Sequence, residues 1–160
     1  MKLSTRTRYG VRLMLSLAQQ YPKGPIYLNS IAAEEDLSMK YLSRIVIQLR
    51  SANLVNSFRG AYGGYSLSRD PSTITMKELI DVLEGDVTLV NCVRDPAICQ
   101  RAHMCVTRDI WDIITGKIYE TLETITLADL VKKVVGRQNK IEGGGLTAAR
   151  NSKYHSKAKL

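Results

Sequence analysis

Cys92, Cys99 and Cys105 are the side chains of this sequence best suited to coordination or redox chemistry: three thiols, separated by six and five residues within one fourteen-residue stretch. An odd count cannot complete a disulfide framework within one chain, so in a reducing compartment metal binding or redox sensing is the better reading. A thiolate stabilises iron strongly, and neither interval is the short C-x-x-C knuckle of structural zinc. Spacing alone leaves the site divided between a metal centre and thiols that are redox-active or merely buried. A second group of residues suits a polyanion. Ser38, Lys40, Tyr41, Ser43 and Arg44 fall together, and Arg59 directly precedes Gly60-Ala61-Tyr62-Gly63-Gly64.

Both groups depend on the elements that carry them. Tyr9, Leu13, Met14, Leu17 and Ala18 recur at helical spacing over residues 5–20, and Pro22, Gly24 and Pro25 end that helix. Asn29 or Ser30 can cap a short helix to about Asp36, and Ser38 a third one, whose Leu42, Ile45, Val46 and Leu49 commit one face to a core. That leaves Ser38, Lys40, Tyr41, Ser43 and Arg44 on the outward first turns, where a helix-turn-helix reads base edges in the major groove. Ser38 would serve the cap or a phosphate; Ser43 and Arg44 are better placed for bases.

Leu54–Phe58 and Tyr65–Leu67 suit two short strands, joined by a loop whose glycines permit positive φ. An arginine at such a tip, here Arg59, can enter a minor groove. Thr75 and Glu78 form a capping box for a helix carrying Leu79, Ile80 and Leu83. Residues 86–105 show no period and read mainly as loop. From Thr107 a long helix is expected, because Ile110, Ile113, Ile114, Ile118, Leu122 and Ile125 form an apolar stripe that needs a partner. Thr126 with Asp129 starts a short helix to Val135, and residues 137–160 read as a disordered basic tail.

Charge agrees with this division. The formal net charge is +8: residues 1–75 hold ten Lys and Arg against four acids, residues 76–140 nine against ten, and residues 141–160 four against one. The basic excess in the first half suits nucleic acid, although many soluble proteins are equally basic. No run approaches the roughly 20 apolar residues of a membrane span, nor does the N-terminus carry the apolar core of a signal peptide, so a cytoplasmic protein is expected.

On the segments Met1-Lys2-Leu3-Ser4, Arg8-Tyr9, Leu42 through Leu49, Leu54-Val55 through Arg59-Gly60, and Gly63-Gly64-Tyr65, residues 1–135 resemble the IscR family of bacterial regulators, with NsrR as a relative. The resemblance implies a homodimer of winged-helix heads joined by a long crossed helix pair, so the helix from Thr107 would be the dimer element. It implies DNA contacts at Lys40, Ser43 and Arg44 and at Arg59, Gly60, Gly63 and Gly64, and a cluster held by the three cysteines. Two departures matter. IscR proper carries an acidic residue and an amide where this chain has Ser43 and Arg44, so its operator does not transfer. It also has a histidine three residues after the last cysteine, where Arg108 stands here, a cation with no acceptor. His103, the only nearby imidazole, suits a mixed-ligand [2Fe–2S] centre and an exposed loop position equally well; Asp95, Asp109 or a small molecule are the alternatives. The acidic N-terminal ligand of NsrR has no counterpart, since no acid precedes Glu34, and His155 in the tail is a poor ligand.

The expectation is therefore a mainly α chain: a winged helix-turn-helix over 1–85, a cluster-binding loop over 86–106, a dimerisation helix and a short helix over 107–136, and a tail. Its function would be homodimeric, sequence-specific binding of double-stranded DNA at a pseudo-palindromic operator, repressing iron–sulfur assembly or related iron and redox genes. The cofactor would be an iron–sulfur cluster, [2Fe–2S] before [4Fe–4S]. A cluster-free member sensing a small molecule or thiol oxidation is the first rival. A redox electron carrier is the second, without a nucleotide-binding glycine motif, a nucleophile–base pair or a second cysteine group to support it. No enzymatic activity is expected.

Overall fold

The computed structural model describes residues 3–60 and 62–143. Helix α1 (Thr5–Gln20) starts where the Ser4 hydroxyl accepts the Thr7 amide at 3.2 Å, and its Leu13, Met14 and Leu17 enter the core. Glu84, from the end of the fourth helix, locks this start from outside. Its carboxylate accepts the Ser4 hydroxyl at 2.6 Å and the Thr7 hydroxyl, and these bonds hold it below the usual carboxylate range.

Helix α2 (Leu28–Glu34) is capped by the backbone at Tyr27, so Asn29 and Ser30 lie inside it and neither serves as the expected cap. The cause is a bridge: the Ile26 amide donates to the Tyr65 carbonyl at 2.9 Å, which keeps the chain extended up to the helix. Helix α3 (Met39–Ser51) buries Leu42, Ile45, Val46 and Leu49, the four positions that its period assigns to the core. Strands β1 (Val55–Phe58) and β2 (Gly64–Leu67) pair antiparallel, Val55 opposite Leu67 and Phe58 opposite Gly64. Helix α4 (Met76–Leu83) follows with the Thr75 hydroxyl accepting the Glu78 amide at 3.2 Å. The return half of that capping box is not made, because Arg69 takes the Glu78 carboxylate.

Between α4 and the long helix lie a single helical turn, α5 (Asn91–Arg94), and two 3-10 turns at Pro96–Ile98 and Ala102–Met104. Helix α6 (Val106–Thr124) packs its C-terminal half near α4, and α7 (Leu127–Gly143) turns back along α1. Leu127 is fully buried in the head, its amide donating to the Ile74 carbonyl at 3.0 Å. The Thr126 and Asp129 box is complete, each side chain accepting the other's amide, and the Thr126 hydroxyl, then the Thr126 amide, both donating to the Asp129 carboxylate, hold it down to about 2. Residues 137–143, expected as the start of a tail, continue α7. Arg137, Gln138 and Lys140 are good helix formers and no proline interrupts them. The rest of the expected tail, including His155, lies outside the described residues.

The result is mainly helical with a two-stranded antiparallel wing, as the sequence predicts. Its core joins α1, α2, α3, α4, Val55 and Leu67 of the wing strands and the first residue of α7, which sets α3 and the wing side by side on one surface.

Candidate nucleic-acid interface and cysteine loop

The outward face of α3 divides into free and engaged residues. Lys40 and Arg44 are exposed and make no hydrogen bond or ion pair among the described residues. Ser38 occupies the N-cap position, yet its side chain makes no cap bond and stays exposed, available to a phosphate. The Ser43 hydroxyl donates to the Met39 carbonyl at 2.9 Å, the local back-bond that serine makes in helices, so its proton is committed and only its lone pairs can meet a base. Tyr41 is half-buried, edge-on to Tyr9 with ring centres 5.8 Å apart. It braces α3 on α1.

The wing leaves Arg59 exposed, without a partner among the described residues. Its turn closes where the Gly63 amide donates to the Gly60 carbonyl at 2.9 Å. Gly60 and Gly64 have φ of +95° and +136°, as the glycine reading requires. Gly63 is needed for a different reason: a Cβ there would lie 2.6 Å from the Phe58 carbonyl oxygen. Met39, Phe58, Gly60 and Gly63 line a common groove, so the wing stands beside the first turn of α3. That arrangement lets one element enter a major groove while the other reaches the adjacent minor groove. Arg44→Ala is accordingly expected to relax discrimination at particular base pairs by about 1–3 kcal/mol, and Arg59→Ala to weaken binding most where the minor groove is narrow. Equal losses on every duplex in a competition assay would reduce both arginines to phosphate neutralisation.

The cysteine loop is held at both ends. At its start the Tyr119 hydroxyl of α6 donates to Asp86 at 3.1 Å and accepts the Val87 amide at 3.2 Å, while Arg94 of α5 lies 3.6 Å from the same Asp86 carboxylate. At its far end Arg108 Nε donates to the Cys92 carbonyl at 2.9 Å. Arg108 thus fastens α5 to α6. Neither tie carried a sequence signal, since Tyr119 and Arg108 reach residues remote in the chain.

Cys92, Cys99 and Cys105 are free and half-buried. Cys105 stands at the N-cap position of α6, with Sγ 3.1 Å from Thr107 Oγ1; the Thr107 hydroxyl and then the Arg108 amide pull its thiol below the ordinary value. His103 is exposed on the second 3-10 turn, Asp109 is exposed on the first turn of α6, and the Asp95 carboxylate accepts the Ala97 amide at 3.0 Å. Among the described residues no three Cys, His, Asp or Glu side chains converge closely enough to hold a metal ion. The donor chemistry suits iron, but in this loop conformation the three thiols and His103 do not converge on one centre.

Among the described residues the apolar stripe of α6 is covered only in its second half: Ile118, Leu122 and Ile125 are half-buried, whereas Ile110, Ile113 and Ile114, with neighbouring Trp111, are exposed, Ile113 at 64%. Among the described residues no helix is long and apolar enough to cross a membrane.

A family model described as Rrf2, iron-dependent transcriptional regulator, matches residues 3–133. The chain is similar to the HTH-type transcriptional regulator CymR of Bacillus subtilis (strain 168), 41% identical over 138 residues, which cover 86% of this chain and 95% of that protein. The solved structure of CymR, described as the global cysteine regulator of B. subtilis, superposes with a TM-score of 0.72 over 83% of this chain and 98% of that one, at 41% identity. The structure of T. potens IscR does so with a TM-score of 0.71 over 86% of this chain and 91% of that one, at 39% identity.

Proposed function

The chain belongs to the Rrf2 family of transcriptional regulators, a family of regulators and not of enzymes, and from that premise we propose that it is a cytoplasmic homodimer repressing iron–sulfur assembly or related iron and redox genes through a cluster-responsive DNA-binding head. The observation that carries the reading is the joining of two sites by one chain path: a free basic face on α3 and the wing, and three half-buried thiols in a loop tied to α6 through Asp86, Tyr119 and Arg108. The description of the family as iron-dependent agrees with it.

Dimerisation uses the exposed isoleucines and Trp111 of α6, whose contiguous apolar surface is of the kind that marks a protein interface. Two heads related by a two-fold axis then meet a pseudo-palindromic operator. Cys92, Cys99 and Cys105 would hold the cluster, with His103 the candidate fourth ligand; when bound it would supply an occupancy- and redox-dependent link between loop segments. The Arg108 bond to the Cys92 carbonyl and the Asp86 bond to Tyr119 pass any change in the loop to α6. A change in α6 alters the disposition of the heads, and it favours one DNA-binding state only insofar as the two arrangements differ in stability.

A second reading, thiol sensing without a cluster, is favoured by Cys105, a helix N-terminal thiol with a lowered pKa, and by the similarity to CymR. Iron and acid-labile sulfide counts on anaerobically purified and reconstituted protein, beside an operator-binding assay, separate the two. Cluster absorption that disappears in Cys92→Ala, Cys99→Ala and Cys105→Ala, with the helical spectrum unchanged, is the expected result; His103→Ala should shift the spectrum if that imidazole completes the site. Iron-free wild-type protein would leave only the thiol reading.

A further inference from the structure

The start of α1 carries a cation that neither the face of α3 nor the wing explains. Arg6 lies in the first turn of α1, half-buried, and its Nε is shut off from solvent with no hydrogen-bond partner among the described residues. A desolvated, unpaired guanidinium N–H is unfavourable, and such groups in native proteins ordinarily find an acceptor. The acid nearest in influence is Glu84, but its carboxylate is occupied by the Ser4 amide, the Ser4 hydroxyl and the Thr7 hydroxyl, and it acts on Arg6 only at a distance, without forming an ion pair.

Arg6 lines an open cleft of about 440 Å³, with Ser4 from α1 and Tyr41, Arg44, Ile45 and Gln48 from α3. Two arginines on its walls give it a positive potential, and the first-turn position of Arg6 on a sixteen-residue helix adds the favourable end of the helix dipole. An arginine fork matches the oxygens of a phosphate with two parallel hydrogen bonds. The cleft flanks α3 on the side of Tyr41 and Gln48, while the groove shared with the wing flanks it at Met39. When a helix enters a major groove, a phosphate backbone runs along each of its sides.

We infer that the cleft headed by Arg6 is a phosphate-binding site that takes a backbone phosphodiester of duplex DNA on the flank of α3 opposite the wing. Arg6 and the wing would then clamp α3 from its two sides, setting its register in the groove, while Arg44 stays free to reach bases. The inference rests on the reading of α3 as the groove-entering helix.

Full-length protein is titrated with an operator duplex and an unrelated duplex of equal length over a range of salt concentrations. Arg6→Gln should weaken binding to both by a similar factor, and should lower the slope of log affinity against log salt by about 0.9 per bound protomer. Arg6→Lys should recover the slope, since a point charge suffices for counterion release. The melting temperature of Arg6→Gln should stay close to that of the wild type, because Arg6 makes no hydrogen bond or ion pair among the described residues and meets Glu84 only at a distance. An unchanged slope, or a loss confined to the operator, overturns the phosphate site while leaving DNA binding intact. A lowered melting temperature that Arg6→Lys does not restore makes Arg6 structural and overturns it equally. Stabilisation by inorganic phosphate at fixed ionic strength that needs Arg6, with no change in the DNA slope, assigns the cleft to a free anion. Wild-type protein that binds no duplex removes the reading of α3 itself.

Discussion

Gly64→Ala is expected to destabilise the head by roughly 2–4 kcal/mol and to weaken operator binding, the combined cost of a left-handed backbone forced on alanine and of hydrogen bonds displaced beside it. Gly64 has a φ of +136°, and a Cβ there would meet the Ile26 carbonyl oxygen at 2.5 Å and its carbon at 2.7 Å. Neither atom can yield, because both belong to the bridge that ties the wing to the segment before α2: the Ile26 amide donates to the Tyr65 carbonyl at 2.9 Å, and the Tyr65 amide to the Ile26 carbonyl at 2.8 Å. The bridge also holds the base of the hairpin that carries Arg59. Gly60→Ala is the control. Its φ of +95° carries the backbone strain, but a Cβ there has nothing within 4 Å. Urea midpoints that fall equally in the two variants would show that close approach at Ile26 is not the cause, whereas a larger drop in Gly64→Ala is the outcome the geometry requires.

Leu127→Ala should cost roughly 2–5 kcal/mol of stability, the usual range for emptying a fully buried leucine site. Leu127 is 0% exposed although it follows the long helix in the chain, and the hydrogen bond its amide donates to the Ile74 carbonyl fixes it beside the start of α4. Its loss should therefore lower the unfolding midpoint of the DNA-binding head itself. Ile113→Ala separates core from interface: with that residue largely exposed in the single chain, truncation should leave intrinsic stability almost unchanged and instead raise the concentration at which dimers dissociate in sedimentation. If Leu127→Ala leaves the head unaffected, α7 is an accessory to the fold and not part of it.

The amino-acid sequence by itself determined most of the local structure. Leu42, Ile45, Val46 and Leu49 announced the buried face of α3 because a helix repeats every 3.6 residues, and all four are buried. The Thr75 and Thr126 caps were legible because a hydroxyl three residues before an acid satisfies a helix start wherever it lies in the fold. The wing was legible from its glycines, two of which adopt the positive φ that other residues resist. Periodicity names a face, however, and not what meets it. The isoleucine stripe of α6 is in part the uncovered surface of the chain, while Leu127 beyond it belongs to the head core. Hydrogen-bond partners were beyond reach for the same reason. Residue type shows that Ser43 can donate, that Arg108 is not a ligand and that Arg6 is a cation. Only the folded backbone decides that Ser43 donates to Met39, that Arg108 clasps the Cys92 carbonyl and that the Nε of Arg6 is buried without an acceptor among the described residues, because the first depends on a rotamer and the others on distances between segments that the chain order does not encode.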